Sequence, residues 1–103
     1  QDPLVQHLKL SNDQVKKIDD LHKQLEQNVS MIPMTGVKNG ALIDMFQAGK
    51  WDESTVKSQL AAFSKIEEQT RYYRVKYYFD VSQVLTPEQR KQIRTDMANA
   101  LAE

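Results

Sequence analysis

The chain has 103 residues, 40% hydrophobic and 27% charged, which suits one globular domain spanning 1–103 with a single modest core. Fourteen basic residues balance fourteen acidic ones, so the chain lacks the basic excess that nucleic-acid binding calls for. No apolar run reaches the roughly 20 residues of a membrane span, and no N-terminal signal is legible, as would also hold for a mature form that has lost one.

Cysteine is absent, which excludes disulfides, thiolate metal sites and cysteine nucleophiles. Glycine and proline are scarce, at three each, against an all-β chain with many tight turns. Phosphate-cradling glycine loops, G-x-S-x-G and H-E-x-x-H are all missing. Asp19–Asp20 and Glu67–Glu68 are adjacent in sequence, so on a helix each pair diverges by about 100° and cannot flank one bond. The expectation is a non-enzyme without cofactors.

In chain order, residues 1–10 carry Pro3, Leu4, Val5 and Leu8 without a period and read as an extended arm or frayed turn. At Leu10-Ser11-Asn12-Asp13-Gln14, Ser11 is an N-cap and Gln14 sits where its amide reaches back to the cap, forming a capping box. Leu10 and Val15 complete a hydrophobic staple. The stripe Val15, Ile18, Leu21, His22, Leu25, Val29, Ile32 then predicts a first helix over 12–32, ended by Pro33.

The Met31-Ile32-Pro33-Met34 connection is apolar for a loop, and suits either a contact with a partner or a plug under the helices. A short helix over 38–48 offers Ala41, Leu42, Met45 and Phe46, and Gly49 stops it. Trp51 is expected to anchor the turn beside the cap Asp52. The third helix runs over 53–84, a rod of about 48 Å at ~1.5 Å per residue. Leu85-Thr86-Pro87-Glu88-Gln89 repeats the first start, with Pro87 at the first helical position, and opens a fourth helix over 87–101 that buries Ile93, Met97, Ala100 and Leu101.

The rod carries one apolar stripe along its whole length: Val56, Leu60, Phe63, Ile66, Tyr73, Tyr77, Val81 and Val84. A second stripe on its flank, Tyr72, Val75 and Phe79, occupies the C-terminal half alone. Two apolar sides need two neighbours, and the other helices are too short to supply them. A second copy about a twofold axis is expected. At mid-rod, Glu67, Thr70 and Arg74 interrupt the stripe; with Tyr73 and Tyr77 they are candidate dimer contacts. In an antiparallel pair Glu67 of one chain would meet Arg74 of the other, while the alternative is a pairing of Glu67 with Arg71 one turn on.

Two L-[ST]-x-x-Q elements 75 residues apart, with a long unbroken helix before the second, resemble the Spy/CpxP family of bacterial periplasmic proteins over essentially the whole chain. The resemblance implies a thin, curved, all-α helical hairpin that dimerises antiparallel. It implies a periplasmic protein of the envelope stress response that holds partly unfolded clients without ATP. The alternatives it brings are a regulator that inhibits a sensor kinase, and a metal-binding sensor. His7 and His22 stand 15 residues apart on different elements, too few for a metal site in one chain. His22 reads as a core-edge side chain. Client-contact candidates are Met31, Ile32, Met34 and Phe46, together with Arg71, Tyr72, Val75, Lys76 and Phe79. No acid occurs from Arg71 to Phe79, so this last group reads as a basic-aromatic surface for acidic unfolded chains, or as core aromatics beside solvated cations.

Overall fold

The computed structural model describes residues 3–103 and is all-helical among them. A 3-10 turn (Pro3–Val5) precedes α1 (Asn12–Ser30), α2 (Ala41–Ala48), α3 (Glu53–Val84), α4 (Pro87–Gln92) and α5 (Arg94–Ala102). The radius of gyration is 18.9 Å and the extents are 58 × 25 × 17 Å, against about 13 Å for the radius of a compact chain of this size. The molecule is a thin rod.

The rod is a helical hairpin. Gln14 meets Val84, the ring of His22 meets that of Tyr77, and Gly36 approaches Ala62. α1 therefore runs antiparallel along α3, and the following loop continues the same track. Lone helices are marginal, so the buried faces decide where this hairpin is stable. Those faces gather at one end: Leu4, Val5, Leu8, Ile18, Tyr77, Val81, Leu85 and Ile93 form the core, with Leu10, Leu21, Leu25 and Met97 packed on it. Each fully buried aliphatic side chain there contributes about 1.5–3 kcal/mol.

Four local readings are corrected. Residues 3–8 are not a loose arm: Val5 is fully buried and Leu4 and Leu8 are buried beside it, because a short 3-10 turn folds three closely spaced apolar side chains into the end of the hairpin. Gln1 and Asp2, the rest of that arm, lie outside the described residues. The fourth helix is two, because Ile93 leaves helical geometry (φ −105°, ψ 10°) while staying in the core. The second begins at Ala41 rather than 38, and the first ends at Ser30, with Met31 as its cap.

Candidate functional site

The two matched motifs come together in space. Ser11 Oγ accepts from Gln14 N (3.1 Å), and Gln14 Oε1 accepts from Ser11 N (3.0 Å). Thr86 and Gln89 form the same box, at 3.2 and 2.9 Å. Each glutamine has an NH2 left over, and each sends it to the other motif. Gln14 Nε2 donates to Gln89 Oε1 (2.8 Å) and to the carbonyl of Val84 (3.1 Å), the residue before Leu85. Gln89 Nε2 donates to the carbonyl of Lys9 (3.0 Å), the residue before Leu10. The arrangement is reciprocal. A carboxylate at either position has no NH2 to give, so glutamine is the side chain this geometry needs. The sequence pattern shows the caps, but the exchange between them depends on tertiary packing.

Beyond the core, the opposite end is open. Gln59, on the core-facing side of α3, is buried; its Oε1 accepts from Lys38 N (3.1 Å) and its Nε2 donates to the Gly36 carbonyl (3.1 Å). That amide straps the loop between α1 and α2 onto α3. Gly36 takes φ +85°, a backbone conformation that favours glycine, and lies against Ala62. Met45 anchors α2 from within, its sulfur accepting from Asp52 N at 3.2 Å. Sequence pattern had no means of marking Gln59, whose importance lies in a loop 21 to 23 residues away.

Around this strapped loop the apolar side chains face outward. Met31, Met34, Ile43, Phe46, Trp51, Leu60 and Phe63 are all exposed, and Ile32 is half-buried. A shallow groove of about 260 Å³ runs between the loop and α3, lined by Val37, Leu42, Ile43, Gln59 and Phe63. Met31 and Met34 are thus not a plug. Trp51 does not anchor its turn through burial: it is exposed, and its indole N–H donates to Glu53. Asp52 does cap α3, and accepting hydrogen bonds from the Thr55 backbone and hydroxyl holds its carboxyl below the usual range.

The mid-rod residues fare differently. Tyr77 is buried by its own chain, in edge contact with His22 and tilted against Tyr78, so it is not available to a second copy. Tyr73 and Thr70 are half-buried, the Thr70 hydroxyl donating to Ile66 O. Glu67 lies 3.6 Å from Arg71 on its own helix, and Arg74 lies 3.7 Å from Glu103. The intermolecular Glu67–Arg74 pairing therefore competes with intrachain partners for both groups.

Intrachain acids likewise partner the cations of the basic patch. Arg71 also donates to the Glu103 carbonyl, and Lys76 holds Asp80 with both oxygens at 2.7 Å. The acids flank the acid-free stretch, Glu67 one helical turn before Arg71 and Asp80 directly after Phe79, or follow α5 at Glu103. What remains of that surface is apolar: Tyr72, Val75 and Phe79 are exposed. His22 Nδ1 lies 3.0 Å from Glu26 on the surface of α1. His7 is exposed. Among the described residues no three of His, Cys, Asp or Glu converge on a point, and no helix is long and apolar enough to cross a membrane.

No curated protein matches the chain. Two solved structures of a VirG-like (STV) protein of Salmonella Typhimurium are similar to it. One is 65% identical, with a TM-score of 0.91, over 96% of this chain and 91% of that one. The other is 63% identical, with a TM-score of 0.87, over 98% and 93%. The model of the LTXXQ motif family matches residues 1–97, a span that holds both interlocked glutamine motifs. The chain therefore belongs to the LTXXQ motif family, the Spy/CpxP-like proteins, whose members are periplasmic.

Proposed function

We propose that this chain is a periplasmic holding protein that binds partly unfolded proteins, without ATP and without catalysis, on the apolar surface at its open end. The observation that supports this is the run of exposed Met31, Met34, Ile43, Phe46, Leu60 and Phe63 around a loop strapped down by Gln59. Isolated exposed apolar side chains are ordinary, but a cluster of them on a small monomer marks an interaction surface. Methionine and phenylalanine there suit many partners, since thioethers adapt their shape and aromatics bury large areas.

A second copy belongs to the same reading, seated on the remaining exposed stripe of α3, Tyr72, Val75 and Phe79, and sedimentation at micromolar protein checks it. The decisive test is light scattering from a chemically unfolded substrate diluted into buffer with near-stoichiometric amounts of this protein. Aggregation should be suppressed without nucleotide. Phe46→Asp together with Leu60→Asp should weaken suppression by about tenfold, the equivalent of ~1.4 kcal/mol of binding. Selective binding to one sensor domain with no general suppression would overturn the reading.

A further inference from the structure

We infer that Met31 and Met34 form a reversible oxidation site that switches the apolar surface of the open end to a polar one. The inference rests on the holding function proposed above for the meaning of the switch, but its chemistry stands apart from that function. The chain has four methionines and no cysteine, so thioethers are its only sulfur. Their surroundings divide them sharply. Met31 is 74% exposed and Met34 61%, whereas Met45 is 8% exposed with its sulfur occupied by the Asp52 N–H. Met97 is half-buried against the core.

Oxidation follows exposure of the sulfur lone pair. The thioether attacks hydrogen peroxide or hypochlorous acid; an S–O bond forms and the O–O or O–Cl bond breaks. Sulfur loses two electrons, and the oxidant leaves as water, or as chloride plus a proton. The product is a polar sulfoxide in place of a flexible apolar tip.

Neither residue supports the core, so the fold tolerates the change. Met31 closes α1 through its backbone alone, its N–H donating to the carbonyls of Asn28 and Val29. The Met34 carbonyl accepts from Val37 N, again without its side chain. The loop that carries both continues onto the Gln59–Ala62 face of α3, next to Leu60 and Phe63, because Gly36 and Lys38 are bonded to Gln59 and Gly36 lies against Ala62. Two sulfoxides there would wet the middle of the proposed client surface and leave the hairpin intact.

The test is a titration of the intact chain with hypochlorous acid, quenched with free methionine. Peptide mass mapping, anilinonaphthalenesulfonate fluorescence, circular dichroism and aggregation suppression are then read on the same samples. Met31 and Met34 should each gain one oxygen at oxidant ratios that leave Met45 and Met97 unchanged, with helicity retained. Dye binding and suppression should fall severalfold. Methionine sulfoxide reductases with dithiothreitol, whose thiols supply the two electrons, should restore both. Met31→Leu with Met34→Leu, which keeps volume and apolarity, should show no fall in dye binding or suppression on the same treatment, relative to its own untreated sample. Met45 or Met97 oxidising in step with the exposed pair overturns the site, as does unchanged dye binding once both sulfoxides are formed. If untreated protein fails to suppress aggregation, the holding reading falls while mapping and dye still decide the oxidation site.

Discussion

The two halves of α3 carry the same apolar stripe and meet opposite fates. Toward its C-terminus Tyr77 and Val81 are sealed under α1, the Leu4, Val5 and Leu8 side chains and Ile93. Toward its N-terminus Leu60 and Phe63 lie open, although an eight-residue helix and a ten-residue loop pass close by. The difference is one of supply. The closed end receives α1, the 3-10 turn and both C-terminal helices, while the open end receives a short α2 and a loop fixed by one buried amide. A helical period tells which side of a helix is apolar; what arrives to cover that side is decided elsewhere in the chain.

This contrast can be broken by substitution. The largest effect is expected at the closed end, where Ile18→Ala empties a fully buried site and should cost about 2–5 kcal/mol. At about 4–8 °C per kcal/mol for a chain of this size, thermal denaturation would register it as a fall of about eight degrees or more. Phe46→Ala, equally drastic in volume, should move stability by no more than about 0.5 kcal/mol, because the side chain is exposed. Comparable losses from the two substitutions would erase the distinction between the ends.

A smaller effect sharpens it. Gln14→Ala and Gln89→Ala each remove a capping bond and a bond to the opposite motif, for about 1–2 kcal/mol apiece. Since the amides bond each other, the double variant should cost less than the sum, with a coupling of about 0.5 kcal/mol or more. Strict additivity in urea denaturation would mean that the two boxes act only as separate caps.

The smallest effect belongs to Asp52. Its carboxyl titrates below the usual range when folded, so its contribution to the start of α3 is complete above the ordinary carboxylate value of about 3.9 and is lost as pH falls through the lower folded value. Fluorescence of the neighbouring Trp51 should change over that acid window, and Asp52→Asn, which caps without titrating, should flatten the change.

Much of this fold is written locally. Ser11, Asp52 and Thr86 each stand one residue before a helix, because a cap satisfies its own first turn and needs nothing distant. Pro33 and Gly49 likewise act on their neighbours. The 3-10 turn at Pro3–Val5 left no such mark: three apolar residues without a period are silent about burial until a hydrophobic end is there to receive them. The break at Ile93 is equally silent, lacking proline or glycine, since the core's claim on that side chain bends the backbone. At the candidate site, the methionines and Phe46 are conspicuous in the sequence, whereas Gln59 looks like any solvent-facing glutamine. Its part is defined by carbonyl and amide groups on a loop that pattern alone cannot place.

The reciprocal glutamine bond between positions 75 residues apart has a bearing on how the molecule is born. A contact of that span is won late, because the intervening chain must be gathered before the reward arrives. During synthesis or passage through a narrow channel, α1 can meet α3, but the closed end lacks its remaining pieces until Leu85, Gln89 and Ile93 have emerged. The emerging polypeptide thus goes without this lock until most of its length is out, and the tail supplies the last piece.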